Sequence, residues 1–308
     1  MLSLSTCWNN SRHHCGRELI AETREMGFDW VELSHGMTIS KLPGFQEAWE
    51  AGEMKVSGVH NFFPSPVEVM IDAPDAYEYS SHRPHERERA LDLTKRTLEV
   101  GQKFGASYLV IHLGSVPMKS SKWTKPLTKL VKAGKQLSPE FLDLKMQFVK
   151  KRDKLGPLYV QRAIEAMEAV ADLAKEAGIK LALESRSRFE DVPTEDEMIY
   201  IQEHFKDNPW IGYWHDFGHV QLKHNLGLLD HEQWLAKMQP YCIGAHVHDV
   251  YWPERDHRVP LTGTLDFKKL LNYIPEDAPH VWELSPSRDK DEILEALAVW
   301  RAAFPNRS

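Results

Sequence analysis

A chain of 308 residues that is 42% hydrophobic and 27% charged is long enough for one large α/β barrel or two smaller domains, and its composition is typical of a soluble globular protein. It contains no apolar run long enough to span a membrane, and its net charge of -7 disfavours nucleic acid as the main ligand. Three widely spaced cysteines argue against a disulfide framework and against a thiolate zinc site, so any metal ion must be held by oxygen and imidazole nitrogen.

The first eight residues predict a strand rather than a targeting segment. They carry no basic leader, and Asn9 and Asn10 follow too soon for the apolar centre of a signal peptide. We therefore expect a cytoplasmic protein.

The rest of the chain repeats one pattern, in which an amphipathic segment ends at a glycine and an apolar run follows. Helices are predicted over 17–26, 45–51, 86–104 and 159–177, with Gly27, Gly52, Gly105 and Gly178 at their ends. Later helices are predicted over 231–238, 267–273 and 289–304. The predicted strands are 2–8, 28–33, 55–60, 108–112, 179–184, 210–216, 242–246 and 280–283.

Eight short apolar strands that alternate with helices predict a parallel sheet, and eight is the number that closes into a barrel. We therefore expect one (β/α)8 TIM barrel domain over residues 1–308. An open doubly wound sheet is the alternative architecture.

The segment 116–157 departs from this repeat. It has a charge of +8, whereas the rest of the chain has a charge of -15. A long insertion at the active-site end of a barrel is typically a lid or an oligomer contact, so we expect a homo-oligomer. A solvated arm without a ligand is the alternative. A basic helical face is indicated by lysines that recur every three or four residues, at Lys119, Lys122, Lys125, Lys129, Lys132 and Lys135.

Four successive predicted strands each end in a residue that can bind a metal ion: Glu184, Asp216, His246 and Glu283. A carboxylate at the end of an apolar strand is costly to bury without a partner, and a cation removes that cost. Three carboxylates and one imidazole suit one divalent ion, with Mn²⁺ as the first choice and Mg²⁺, Co²⁺ or Zn²⁺ as alternatives.

Further histidines stand near the same strand ends. His60 and His112 end the third and fourth strands, where they could contact substrate or hold a second metal ion. His219 lies three residues beyond Asp216, in the loop above the site. His248 alternates with His246, so we expect its side chain to point away from the interior and to be structural.

The four ligand positions, together with the stretches 183–190, 246–249 and 260–267, resemble the xylose isomerase-like TIM barrels. Within that superfamily they are most similar to the sugar phosphate isomerase/epimerase branch, which includes the ketose 3-epimerases. The resemblance implies that Glu184 and Glu283 are both metal ligands and the catalytic acid/base pair. It also implies that Glu190 contacts substrate and that Asp216 and His219 form the family's Asp-x-x-His pair.

The chain also departs from the epimerase pattern. The resemblance places an arginine six residues after the metal-binding histidine, where this chain has Trp252, so Arg255 is the candidate for gripping sugar hydroxyls. Trp8 and Trp252 are candidates to stack on a sugar, and His257 is a further candidate substrate contact.

Two other classes share this ligand set. Endonuclease IV adds histidines equivalent to His60 and His112 and a third-metal group, of which Asp256 is present but Arg258 replaces a histidine, so a full three-metal cluster is not expected. Lyases that cleave oxidised C-glycosides use the same four ligands.

The sequence therefore predicts a sugar isomerase or epimerase that needs one divalent metal ion and transfers a proton through an enediolate. The expected partner is a small carbohydrate, without nucleic acid or membrane. The alternatives are a lyase acting on keto-glycosides, an endonuclease IV-like hydrolase, and a sugar-binding protein without catalysis.

Overall fold

The computed structural model describes residues 1–69 and 74–307. Eight parallel strands close into a barrel in the order β1-β10-β7-β6-β5-β4-β3-β2, which confirms the predicted (β/α)8 fold. The barrel strands are β1 Leu2–Ser5, β2 Trp30–Leu33, β3 Lys55–His60, β4 Tyr108–Ile111, β5 Lys180–Glu184, β6 Ile211–Asp216, β7 Cys242–Val247 and β10 His280–Trp282. A separate antiparallel hairpin follows β7 and consists of β8 Asp249–Tyr251 and β9 Arg255–Arg258.

Helices cover the outside of the barrel. They are α1 Gly16–Glu25, α2 Leu42–Glu50, α3 Pro84–Lys103, α4 Thr124–Lys132, α5 Pro139–Ala177, α6 Glu195–His204, α7 Phe217–Asn225, α8 His231–Met238, α9 Phe267–Leu270 and α10 Lys290–Ala303. The predicted glycine helix ends are confirmed. Gly178, for example, caps α5 with φ of 71°, a left-handed conformation that glycine adopts without steric cost.

Strand register brings the predicted ligand positions together. Asp216 on β6 is directly opposite His246 on β7, and β5 and β10 flank these two strands. All four strands are parallel, so their carboxyl ends lie at the same edge of the barrel.

A small apolar layer fills the barrel beneath that edge. It consists of Tyr108, Val110, Ala182, Trp214 and Val281, all buried. The indole of Trp214 lies over Gly244, where a Cβ atom would come within 2.0 Å of the ring, so only glycine fits at that position. This layer is the floor of the site.

Several elements differ from the sequence prediction. β1 ends at Ser5 because residues 6–8 form a 3₁₀ turn. The prediction missed α6, α7 and the β8–β9 hairpin. The helix predicted over 159–177 begins earlier, at Pro139, since α5 runs unbroken for 39 residues with Pro157 inside it.

The segment 116–157 packs against the barrel. Leu127, Leu130 and Val131 of α4 are buried with Phe148 of α5 and Phe189 of the loop after β5 in a second apolar cluster. The opposite face of α4 exposes Lys125, Lys129 and Lys132, as the lysine spacing predicted.

No helix within the described residues has both the length and the apolar character that crossing a membrane requires.

Candidate metal centre

Four side chains converge at the carboxyl ends of β5, β6, β7 and β10. Glu184, Asp216, His246 and Glu283 each place one ligand atom within 4.8 Å of the others, and all four are buried. His246 Nδ1 lies 2.9 Å from Glu184 Oε1, 3.3 Å from Glu283 Oε2 and 3.6 Å from Asp216 Oδ2. The three carboxylates therefore surround a single imidazole nitrogen.

The charges of this group are strongly coupled. Burial by itself would raise the pKa of the Glu184 and Glu283 carboxyls, but neighbouring histidines, His112 and His246 foremost, hold both well below their usual range. Burial likewise opposes the charged form of His246, yet Glu283 and Glu32 raise the pKa of its imidazole well above the ordinary value. The site thus concentrates negative charge in a buried group.

Asp216 is held from three sides. As the residue before α7, it accepts a hydrogen bond from the His219 backbone N–H at 2.6 Å, and its own N–H donates to Ser185 Oγ at 2.9 Å. His248 Nε2 lies 3.0 Å from Asp216 Oδ1, while His248 Nδ1 accepts the His257 backbone N–H at 2.8 Å. The prediction that His248 points away from the site is wrong, because residues two apart along an extended segment share a face, and both His246 and His248 lie within 3.6 Å of the Asp216 carboxylate.

A second group, formed by His60, His112 and Glu184, adjoins the first and also places its ligand atoms within 4.8 Å of one another. His112 Nε2 contacts Glu184 Oε2 directly, and His60 Nε2 lies 3.8 Å from the same oxygen. Arg186 and Asp75 border this group. Arg186 contacts His112 Nε2, and its other terminal nitrogen lies 3.0 Å from Asp75 Oδ2.

Glu283 also faces an opening to solvent. A cavity of about 310 Å³ is lined by Glu283, His35, Asp256, His257 and neighbouring residues. His257 Nε2 lies 3.5 Å from Glu283 Oε2, and its backbone has a φ of 51°, which is uncommon for a residue other than glycine. Burial opposes protonation of His257, but Asp256 and Glu283 raise its pKa well above the ordinary value. This cavity gives a small molecule access to the four-residue group.

His219 and His257 lie beside the four-residue group, and His219 Nδ1 is 3.4 Å from Asp216 Oδ2; His219 stands in the first turn of α7 and not in the predicted loop. Trp252 and Arg255 lie on the hairpin above, where Trp252 is 49% exposed and Arg255 is exposed. Their contact with substrate remains a prediction.

Two predicted substrate contacts are placed elsewhere. Glu190 is turned toward α4, where both of its carboxylate oxygens accept from Thr124 Oγ1 at 2.8 Å. Trp8 is fully buried; its indole N–H donates to the Arg288 carbonyl, and the Arg12 guanidinium lies 4.1 Å above its ring. With its ring covered, Trp8 does not offer a free face to a sugar.

Three charged residues of the site were missed. Glu32 lies 3.3 Å from His246 Nε2 and accepts a hydrogen bond from the Tyr108 hydroxyl. The sequence could have indicated it, because Glu32, like Glu184, is a glutamate in an otherwise apolar strand. Arg186 follows Glu184 by two residues, so its nearness could have been inferred. Asp75 carries no local signal, because it reaches the site from a loop 111 positions from Arg186.

The residues present fit a divalent cation. Three carboxylates and an imidazole nitrogen converge in a buried space, and such oxygen-rich sets with one nitrogen suit Mn²⁺, Mg²⁺, Co²⁺ or Zn²⁺. Three buried carboxylates also need more positive charge than one imidazolium supplies.

Solved structures with the same fold include enzymes that act on sugars. A D-tagatose 3-epimerase-like protein has a TM-score of 0.68 at 17% identity, with 99% of this chain and 98% of that chain covered. The 3-keto-D-glucoside 4-epimerase YcjR from E. coli has a TM-score of 0.67 at 17% identity, with 98% of each chain covered. The IolI protein, solved with a zinc atom bound, has a TM-score of 0.67 at 14% identity, with 100% of this chain and 99% of that chain covered.

No curated protein sequence matches the chain significantly. A family model described as a xylose isomerase-like TIM barrel matches residues 20–303. The match covers most of the chain, and the closed eight-stranded barrel agrees with it. The chain therefore belongs to the xylose isomerase-like TIM barrel family.

Proposed function

We propose that this protein is a sugar isomerase or epimerase that depends on one divalent metal ion, with Mn²⁺ as the first candidate. The observation that carries the proposal is the convergence of two glutamates, one aspartate and one histidine at the carboxyl ends of β5, β6, β7 and β10. The 3-epimerase and 4-epimerase among the solved structures of the same fold support sugar chemistry over other uses of the barrel.

The two glutamates are suited to moving a proton at a carbon beside a ketone. Glu184 and Glu283 both approach His246 Nδ1, at 2.9 Å and 3.3 Å, but they come from β5 and from the end of β10. Glu283 lines the open cavity, whereas Glu184 lies deeper, 1% exposed. A bound divalent ion would polarise the ketone and acidify the adjacent C–H. One glutamate, as a carboxylate, then takes the proton, and the other must first take up a proton from solvent in order to deliver it to the opposite face, which inverts the carbon; the first glutamate releases its proton to solvent to reset the pair.

Other side chains keep these groups in place. Asp216 and His246 serve as ligands without moving protons, and His257 can donate a hydrogen bond to a substrate hydroxyl at the cavity mouth. The apolar layer under the site, with Trp214 5.2 Å from His246, excludes water from below.

The cavity favours an uncharged sugar over a sugar phosphate. Among the described residues that line it, the ionisable side chains are Cys7, His35, Asp256, His257 and Glu283, without a lysine or arginine. A phosphate would meet two carboxylates there, and the His257 imidazolium already pairs with both of them. The proposed substrate is therefore an unphosphorylated ketose or keto-glycoside.

Exchange of substrate hydrogen with solvent tests the proposal. The Mn²⁺-loaded protein is incubated in deuterated water with D-tagatose, other ketoses, their phosphates and 3-keto-glucosides, and the products are analysed by NMR. We expect deuterium at a carbon next to the carbonyl of an intact sugar. Glu184→Gln and Glu283→Gln should each reduce this incorporation by about 100-fold or more, the usual scale for losing a general acid or base.

Metal content separates the roles within the site. Asp216→Asn and His246→Ala should lose bound metal together with exchange, whereas the two glutamine variants should retain more of it, because an amide oxygen still coordinates weakly. Release of an aglycone without exchange would indicate a lyase, and nicking of abasic DNA would indicate a nuclease. Sugar binding without any turnover would leave a binding protein, and each of these results contradicts the proposal.

A further inference from the structure

Arg186 lies where the second group of candidate ligands would place a cation. His60, His112 and Glu184 each direct a ligand atom toward a common point, and their side chains are at most 8% exposed. One terminal nitrogen of Arg186 contacts His112 Nε2 and lies 3.4 Å from Glu184 Oε2. Two of the three ligand atoms of that group therefore already face a guanidinium.

Asp75 fixes the guanidinium in that position. Its Oδ2 accepts from the second terminal nitrogen of Arg186 at 3.0 Å, and its Oδ1 lies 2.8 Å from His112 Nδ1. Asp75 thus holds both the arginine and the histidine that the arginine contacts. The loop that carries Asp75 is tied to the barrel nearby, since Ser80 N–H donates to the Leu113 carbonyl at 3.1 Å.

A guanidinium and a metal ion cannot share these ligands. The Arg186 guanidinium packs directly against His112 Nε2, so a metal ion cannot approach that nitrogen while the guanidinium is in place. Arginine also keeps its charge throughout the accessible pH range and would repel a second cation. The guanidinium supplies the positive charge that Glu184 Oε2 would otherwise receive from the ion.

We infer that Arg186, held by Asp75, occupies the second cation position at His60, His112 and Glu184, so that a metal ion binds at Glu184, Asp216, His246 and Glu283 and no second one binds beside it at His60 and His112. The inference rests on the metal site of the proposed function, but it concerns the number of ions and not the reaction. It makes Arg186 the residue that sets this number, through contacts with His112 and Glu184.

The experiment counts metal ions. Protein stripped with a chelator is titrated with Mn²⁺, and bound ions per chain are measured by elemental analysis and by electron paramagnetic resonance, which distinguishes an isolated Mn²⁺ from an exchange-coupled pair. We expect one ion in the unaltered protein and two in Arg186→Met, where Asp75 and Glu184 are left facing each other without a counter-charge. Arg188→Met is the matched control, because its guanidinium pairs with Asp191 at 2.9 Å; it should bind one ion.

A double variant locates the second ion. Arg186→Met with His112→Ala should return to one ion, because a ligand of the second position is then missing. Two ions in the unaltered protein, or one in a folded Arg186→Met, would overturn the inference. Should Arg186→Met fail to fold, the unaltered protein is compared with His112→Ala: one ion in both supports the inference, and a fall from two to one refutes it.

The two proposals fail separately. One Mn²⁺ per chain without hydrogen exchange into any sugar would remove the proposed function and leave the role of Arg186 intact. Two ions per chain with normal hydrogen exchange would refute the role of Arg186 and leave the proposed function intact.

Discussion

At the scale of single residues, the ligands depend on neighbours that fix their orientation. His248 shows this for Asp216. Because its Nδ1 accepts a backbone N–H, its Nε2 carries the proton and donates it to the Asp216 carboxylate, 3.0 Å away. A hydrogen bond of this kind selects one orientation of the carboxylate and leaves an oxygen directed at His246.

We therefore expect His248→Phe to weaken Mn²⁺ affinity by roughly 10- to 100-fold, the range for losing a partner of a metal ligand. Phenylalanine retains the ring that stacks 4.2 Å from His257 but cannot donate to Asp216. Calorimetric titration of the stripped protein measures the affinity, with the exposed His85→Gln as control. Equal Mn²⁺ affinities in the two variants would show that the hydrogen bond from His248 to Asp216 does not contribute to metal binding.

At the scale of elements, α5 connects the basic segment 116–157 to the barrel. Arg152, which is fully buried on α5, donates to the backbone carbonyls of Phe189 and Asp191 at 3.1 Å and 2.8 Å. It also makes two bonds of 2.7 Å to the Glu197 carboxylate on α6. The loop that carries Arg186 is thus held by a residue from the segment. Whether this segment is also a lid or an oligomer contact stays a prediction.

Replacing Arg152 by methionine should destabilise the protein by about 3 to 5 kcal/mol, because the change leaves two buried carbonyls without their donor and the Glu197 carboxylate without its cation. Lys154→Met, two residues further along the same helix and exposed, should change stability by less than about 0.5 kcal/mol. Urea unfolding followed by circular dichroism compares the two. A similarly small loss of stability in both variants would mean that the Arg152 contacts contribute little to the free energy of unfolding.

At the scale of the whole molecule, buried neutral histidines make stability depend on pH. His280 is fully buried where the chain ends meet: Arg307 donates to its Nε2 at 2.8 Å, and its Nδ1 donates to the Ala278 carbonyl at 2.8 Å. Burial, followed by the charge of Arg307, lowers the pKa of His280 to about 3. In the unfolded chain its pKa would be about 6.5.

In the unfolded state His280 therefore binds a proton below about pH 6.5, whereas in the folded state it binds one only below about pH 3. The contribution of His280 to stability is complete above the higher value and is lost as the pH falls, by about 1.4 kcal/mol per pH unit. We therefore expect the free energy of unfolding of metal-free His280→Gln, relative to that of the unaltered metal-free protein, to increase as the pH falls from 7 to 5, because the substitution removes the His280 penalty. His85→Gln serves as control, and parallel curves for the unaltered protein and His280→Gln would refute the prediction.

Local patterns in the sequence determined the barrel and its ligand set. Apolar runs and glycine helix ends depend on nearest neighbours along the chain, and eight such units close in one way. Since the carboxyl ends of parallel strands share one edge, Glu184, Asp216, His246 and Glu283 could be placed together before any distance was known.

Only the tertiary structure decided where side chains beyond the strand ends point. Glu190 turns toward Thr124 because the loop that carries it is oriented by packing against a distant segment and not by strand alternation. The pairing of Asp75 with Arg186 joins residues 111 positions apart, and no local pattern encodes such a contact. Chain periodicity thus specifies the candidate ligands, whereas the surroundings that set their charge arise from long-range packing.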